Sequence, residues 1–268
     1  MTTKQKLLST LTALGMIAGI ANAHGQILQA ISLNFYEQGS NNHTLEATDA
    51  TGVLSLTNWN NLAGPQSDNS TGTTWTGLVD STGASIAGLT VQAHNISPGA
   101  PTTAYTGVTR WKDLPETPHN VDEKMIGAGV GVWANNASFT ISVSDLPSAF
   151  SENEVNVYIY WGGKFGSSAD ADEVTTNYTI GTQTESLTFG NNLNNWAVAH
   201  DREFVLEGNY LVFENITLTN GGFDLDLAIG SSRRIGISGM QIVAIPEPGT
   251  LVLVGIALGS LLLFRRKK

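Results

Sequence analysis

The feature that most constrains the fold is a period of two in the apolar residues through the interior of the chain. Apolar and polar residues alternate most clearly in Ile31–Tyr36, Ser138–Val143, Val155–Trp161 and Phe223–Leu227. Alternation places the apolar side chains on one face of a strand and the polar ones on the other, as in half-buried antiparallel sheets. No segment between the two chain ends keeps a helical period. The sequence therefore predicts an all-β fold, an antiparallel β-sandwich or jelly roll.

Weaker alternation predicts further strands, which are separated by turn-forming clusters of Asn and Gly. These further candidates are Gly52–Leu56, Ile86–His94, Thr175–Ile180, Tyr210–Leu218 and Ile235–Ile245. Many short strands joined by polar turns suit one sandwich, and no Pro- or Ser-rich linker divides the region. We therefore expect a single domain over residues 24–244, between two end segments of different character.

The N-terminal segment has the pattern of a secretory signal peptide. Basic residues Lys4 and Lys6 precede an apolar run that ends at Ile20, and Ala21 and Ala23 form an A-x-A cleavage site. The alternative, a buried first helix, is disfavoured because all three parts occur in the right order. We expect residues 1–23 to be removed after engagement of the secretion translocon and signal peptidase.

The C-terminal segment, residues 245–268, has three successive parts. They are the motif Pro246, Glu247 and Pro248, the apolar run Leu251–Phe264, and the basic residues Arg265, Arg266, Lys267 and Lys268. The run is short for a hydrocarbon core of about 30 Å, but bilayer thinning and snorkelling allow it to span. The basic residues should stay in the cytoplasm. This pattern predicts a single transmembrane helix with a short cytoplasmic tail.

These three parts together resemble the PEP-CTERM sorting signal of exosortase-bearing bacteria. The resemblance implies recognition by exosortase, a Cys-dependent, transpeptidase-like membrane enzyme. Exosortase would cut near the Pro-Glu-Pro motif, so that a precursor anchored in the inner membrane is passed to the cell surface or the extracellular matrix. The residue after the motif is often Ser or Thr in that family, whereas here it is Gly249, followed by Thr250.

The region between the ends also resembles a loose set of PEP-CTERM proteins. The resemblance is carried by four short motifs, Ile31–Phe35, Asn58–Asn61, Leu78–Ala84 and Ile237–Val243. It implies an architecture similar to galactose-binding-like jelly rolls. It brings no catalytic residues with it.

Composition excludes several classes of function. Residues 24–244 carry 7 Lys and Arg against 22 Asp and Glu, a formal net charge of −15, which disfavours nucleic acids and acidic polymers. The same charge is compatible with neutral glycans and with divalent cations. The chain has no cysteine, so a disulfide framework, a thiol nucleophile and a Cys-ligated metal are excluded.

No motif of a known catalytic class is present. The sequence lacks H-E-x-x-H, the G-x-S-x-G nucleophile elbow and the phosphate-binding glycine patterns. We therefore expect a protein that is not an enzyme, although an exported polysaccharide or ester hydrolase stays open because a fold does not exclude grafted chemistry.

One acidic loop is a candidate calcium site. Asp170, Asp172 and Glu173 place carboxylates close together, and such side chains can ligate one hard cation with backbone carbonyls. The alternative, a solvated loop between two strands, is favoured because the EF-hand spacing is missing. We expect no other cofactor.

Two tryptophans set among amides are candidates for glycan binding. Trp59 precedes Asn60 and Asn61, and Trp196 follows another Asn-rich run. An indole can stack on the C–H face of a sugar while neighbouring amides bind its hydroxyls. The alternative is that these tryptophans fold back to cap the ends of the sandwich.

Taken together, these features predict an exported, noncatalytic cell-surface or extracellular-matrix protein that is sorted by exosortase and associated with exopolysaccharide in a biofilm. The main alternative is a carbohydrate-binding module with a defined Trp/Asn site.

Overall fold

The computed structural model describes residues 29–37, 43–64, 72–95, 121–126, 129–133, 138–151, 154–161, 174–189, 204, 206, 209–229 and 234–245. All of these belong to one compact unit, residues 29–245, which is distinct from a unit of residues 1–28 and 246–268. The predicted cleavage residues Ala21 and Ala23 lie outside the described ranges, as does the apolar run Leu251–Phe264. Within those ranges, no helix combines the length and the apolar character needed to cross a membrane.

The described residues form thirteen strands and two short helices. The strands are β1 Ala30–Glu37, β2 Asn60–Gly64, β3 Thr73–Trp75, β4 Thr90–Asn95, β5 Val130–Trp133, β6 Ser138–Ser144, β7 Val155–Tyr160, β8 Val174–Ile180, β9 Gln183–Phe189, β10 Tyr210–Ile216, β11 Phe223–Ile229, β12 Arg234–Ile237 and β13 Gly239–Ala244. The helices are α1 Val121–Ile126 and α2 Ser148–Ser151.

The strands form two main sheets, and the predicted all-β sandwich is confirmed. One sheet has the order β10-β7-β13-β1-β2, the other has the order β3-β4-β6-β11-β8-β9, and β12 pairs with β5 separately. Neighbouring strands run antiparallel except for β1 and β2, which are parallel with Leu33 opposite Asn60. A parallel pair needs a crossover connection, and residues 38–59 provide it.

The core lies between the two main sheets and is built from the alternating apolar residues. Leu33 and Ile159 of the five-stranded sheet and Ile141 and Leu225 of the six-stranded sheet belong to one fully buried cluster. Burial of each such side chain contributes about 1.5–3 kcal/mol relative to exposure. Trp161, which directly follows β7, is also buried in this cluster, as its place in the alternation predicted.

Three of the predicted strands differ from the structure for local reasons. Ile86–His94 forms a strand only from Thr90 onward, because Gly88 adopts a φ of 84°, outside the extended region. Gly52–Leu56 forms a turn in which only Thr51 and Leu56 pair, because Gly52 adopts a φ of 90°, outside the extended region. Ile235–Ile245 is not one strand but two, since the chain bends at Ser238 between β12 and β13. This bend moves the chain from the two-stranded sheet to the centre of the five-stranded sheet.

The outer face of the six-stranded sheet is polar and solvated, as the alternation of Asp224 and Asp226 with leucines predicted. Both aspartates are exposed, and the Thr140 hydroxyl donates a hydrogen bond of 2.5 Å to Asp226. Hydroxyl pairs such as Thr179 and Thr184, at 3.0 Å, continue the face across β8 and β9.

Candidate functional site

The outer face of the five-stranded sheet is covered rather than solvated. Ser32, Asn34 and Gln241 point away from the core in the alternation, yet all three are fully buried. Contacts from residues 43–58 and from helix α1 cover them. Buried polar groups must find hydrogen-bond partners. Residues 43–58 and helix α1 therefore form a third layer, which is hydrogen-bonded to side chains that the alternation had assigned to solvent.

One group of contacts fixes the turn at residues 51–56. The Tyr160 hydroxyl donates to Gln241 Oε1 at 2.5 Å and accepts from the Val53 N–H at 3.0 Å. Gln241 Nε2 in turn donates to the Leu54 carbonyl at 2.8 Å. Burial raises the pKa of the Tyr160 phenol, so that its hydroxyl stays protonated and can donate. A Cβ on Gly52 would lie 2.7 Å from Gln241 Oε1, which explains why a glycine stands there.

The predicted glycan-binding amides are already used inside the protein. Asn60 Nδ2 donates to the carbonyls of Ser32 and Val79, at 3.0 and 2.8 Å, and its Oδ1 accepts from the Val79 N–H at 2.8 Å. Asn61 Oδ1 accepts from the Leu45 N–H at 2.9 Å, and Asn61 Nδ2 donates to the Leu45 carbonyl at 2.8 Å. These two amides therefore join neighbouring segments. Asn60 is buried and all of its groups are used, whereas Asn61 is exposed but uses its oxygen and one N–H inside the protein.

Trp59 does not offer a stacking surface. Its side chain is only 5% exposed, its Nε1 donates to the Leu56 carbonyl at 2.8 Å, and its ring meets that of Tyr160 edge-on at 6.2 Å. Leu45 and Met125 belong to the same buried cluster. Trp59 therefore presents no open ring face on which a sugar could stack. Its ring folds back, but onto the outer face of the five-stranded sheet and not over an end of the sandwich, and its large apolar area is buried there.

Several predicted site residues lie outside the described ranges. They are Trp196, the acidic residues Asp170, Asp172 and Glu173, the motif Pro246, Glu247 and Pro248, and the basic residues Arg265, Arg266, Lys267 and Lys268. Among the residues that the structure does describe, no group of three or more His, Asp or Glu side chains could hold a metal ion. The calcium site stays a prediction.

A cluster of aromatic rings, which the sequence analysis did not identify, lies on the same face at the far end of β7. The ring of Tyr160 packs against Phe204 at 5.1 Å and against Tyr210 at 6.2 Å. Tyr160 is buried, whereas Phe204, Tyr210 and the nearby Tyr158 are only half-buried. These partly exposed rings leave aromatic surface accessible to a ligand.

The most exposed large apolar residues in the described part of the chain are connected to this cluster through their backbones. They are Val53, at 37% exposure, and Leu206, at 53%. Val53 is joined to Tyr160 by the hydrogen bond above, and Leu206 forms a bridge to Tyr210. We call the surface made of Tyr158, Phe204, Tyr210, Val53 and Leu206 the aromatic patch.

The electrostatics of the patch favour a neutral, hydroxyl-bearing ligand. Burial, the nearby carboxylate of Glu214 and the phenol of Tyr210 together raise the pKa of Tyr158. Tyr158 is therefore a neutral phenol at physiological pH. It can donate or accept a hydrogen bond, and an exposed carboxylate acceptor lies near it.

Comparison with known proteins identifies the C-terminal segment and leaves the rest of the chain unassigned. Residues 244–267 match the PEP-CTERM protein-sorting motif. No curated protein sequence matches the chain.

Two solved structures show only a distant likeness. TmCBM61, a carbohydrate-binding module solved in complex with beta-1,4-galactotriose, matches with 10% identity over 57% of this chain and 83% of that chain, at a TM-score of 0.26. The complex of the plant peptide RALF23 with FER and LLG2 matches with 12% identity over 81% of this chain and 40% of that chain, at a TM-score of 0.35. Likenesses this weak do not bear on the function of this chain.

The match to the sorting motif is therefore what indicates how this protein is exported and processed. The matched residues include Pro246, Glu247 and Pro248 and the apolar and basic segments that follow them. The chain carries a PEP-CTERM protein-sorting motif, which implies an exported protein whose membrane-anchored precursor is processed by exosortase and sorted to the cell surface.

Proposed function

We propose that this protein is a noncatalytic cell-surface or extracellular-matrix component that associates with exopolysaccharide. The observation that carries the proposal is the aromatic patch, where the three half-buried rings of Tyr158, Phe204 and Tyr210 pack against one buried cluster. Contiguous exposed apolar surface on a soluble domain marks an interaction site.

The chemistry of the patch suits a glycan. Pyranose rings present C–H faces that stack on aromatic rings, while phenol hydroxyls can bind the sugar hydroxyls. The acidic balance of residues 24–244, together with Glu214 near Tyr158, favours a neutral polymer over a polyanion. No feature of the described residues favours the hydrolase alternative.

Binding of the purified exported domain to exopolysaccharide from its own host, and to a panel of neutral glycans, tests the proposal. We expect saturable binding that Tyr158→Ala weakens about fivefold to tenfold, since one stacking contact is worth about 1 kcal/mol. Tyr36→Ala is the matched control because Tyr36 is also half-buried and lies on β1 of the same sheet, outside the patch. Failure of the unmodified domain to bind any glycan would refute the association.

The calcium prediction is tested in the same assay. If Asp170, Asp172 and Glu173 hold a cation that supports binding, a chelator should weaken binding and added Ca²⁺ should restore it. Binding that is unchanged by the chelator would mean that these carboxylates form a solvated loop.

A further inference from the structure

Both ends of the described unit meet at one end of the five-stranded sheet. Strand β1 starts at Ala30 and the neighbouring antiparallel strand β13 ends at Ala244, with Ala30 opposite Val243. The Ala244 N–H donates to the Gln29 carbonyl at 2.9 Å, which extends the pairing by one residue. The predicted mature N-terminus and the sorting motif are therefore joined to the body at the same end.

The sheet holds the chain up to the residue before the sorting motif. The Ile245 N–H donates to the Glu154 carbonyl at 3.1 Å. Pro246 and Pro248 have no N–H and cannot extend the ladder. No residue separates Ile245, the last residue that the structure describes, from the motif, and three extended residues reach at most about 10 Å from Ile245 to Pro248.

The surface around this point is rigid and acidic. The turn Asp80–Ala84 is attached to the start of β1 because the Ser81 N–H donates to the Ala30 carbonyl at 2.8 Å. Inside the turn, the Asp80 carboxylate accepts from the N–H groups of Thr82 and Ala84, at 2.8 and 3.0 Å. Burial by itself would raise the pKa of Asp80, but these hydrogen bonds outweigh it and the pKa is lowered.

We call Gln29, the turn Asp80–Ala84 and Glu154 the exit surface. Gln29, Thr82 and Glu154 are exposed, so a partner can reach them. An enzyme that grips a motif lying within about 10 Å of Ile245 works close to the surface from which the motif extends.

We propose that the exit surface is part of what exosortase contacts when it engages Pro246, Glu247 and Pro248. The partner is the membrane exosortase that the sorting motif implies, and basic groups on that enzyme would complement the carboxylates of Asp80 and Glu154. The inference does not depend on glycan binding, since it rests on where the chain leaves the sheet.

The test follows conversion of the full-length precursor to the processed form in a host that contains its exosortase. We expect Glu154→Arg and Thr82→Arg, which add bulk and positive charge to the exit surface, to slow conversion at least fivefold. Glu185→Arg on β9 is the matched control, because Glu185 is equally exposed but belongs to the other sheet, and it should be processed at the normal rate.

A spacer distinguishes a lost contact with exosortase from misfolding of the variant domain. Six Gly and Ser residues inserted between Ile245 and Pro246 add about 20 Å of reach, and they should restore conversion of the two exit-surface variants. Normal conversion of those variants without the spacer would overturn the proposal. Slow conversion that the spacer does not relieve would also overturn it, because the defect would then lie in folding, which thermal melting of the exported domain would reveal.

Discussion

The hydroxyl of Tyr160 should contribute more to stability than an ordinary tyrosine hydroxyl, and Tyr160→Phe removes it alone. The hydroxyl lies between Gln241 Oε1, at 2.5 Å, and the Val53 N–H, at 3.0 Å. Gln241 is fully buried, and its Oε1 accepts no other hydrogen bond from the described residues. The substitution therefore leaves a buried acceptor unpaired.

The size of the effect follows from these contacts. An unpaired buried acceptor costs about 1–3 kcal/mol, and the lost bond to Val53 adds about 1 kcal/mol. The Val53 N–H can bind water instead, because that residue is 37% exposed. The cost of losing its bond to Tyr160 is therefore no more than about 1 kcal/mol. A total of about 3 kcal/mol should lower the melting temperature of a domain of this size by about 6–12 °C.

Urea unfolding of purified residues 24–245, followed by circular dichroism, measures the change. Tyr158→Phe is the matched control, since Tyr158 lies two residues away on the same face of β7 but is only half-buried, and it should change the free energy of unfolding by less than about 0.5 kcal/mol. Equal effects of the two substitutions, or a loss below about 1 kcal/mol for Tyr160→Phe, would refute the argument that Gln241 is sealed from water.

Two further substitutions test other contacts. A Cβ at Gly236 would overlap the buried ring of Trp161, so Gly236→Ala should cost about 3 kcal/mol in an unfolding titration. Trp161→Leu in the same background should recover part of this loss, and strictly additive effects of the two substitutions would contradict the overlap. Asp80→Asn should destabilise the domain at neutral pH, because the pKa of Asp80 is lowered in the folded state. Folding then releases protons, so the contribution is complete above the unfolded pKa near 3.8 and is lost as the pH falls through the folded value. The exposed Asp224→Asn is the control, and a difference between Asp80→Asn and the unmodified domain that persists undiminished at pH 2 would contradict the assignment.

The period-two pattern predicted the sandwich well, because the face of a strand that packs against the other sheet must be apolar. Leu33, Ile141 and Leu225 all lie in the core that their alternation indicated. The pattern failed where a second layer covers a sheet. Gln241 and Tyr160 occupy the polar half of the alternation, yet the turn at residues 51–56 buries them, and strand periodicity carries no information about such a cover.

The candidate site was the harder part to predict. Trp59 among asparagines has the composition of a sugar site, but the same amides also suit a turn that is bonded to its neighbours, and composition cannot separate the two. The aromatic patch was missed because Tyr158 and Tyr160 occupy the polar positions of β7 in the alternation. Only the structure brings Phe204, far away in sequence, beside Tyr160.

The arrangement of β7 and β13 has a mechanical consequence. Tyr160, under the aromatic patch, and Val155, at the exit end, lie about 17 Å apart along β7 at about 3.4 Å per residue. Strand β13 runs antiparallel beside it, with six residues in register from Gly239 to Ala244. A polymer that pulls on the patch while the C-terminal end is held would load these strands lengthwise. Tension of this kind would shear the whole row of hydrogen bonds at once, instead of opening them one after another, so the pairing of β7 and β13 would resist force applied between the patch and the C-terminal end of the domain.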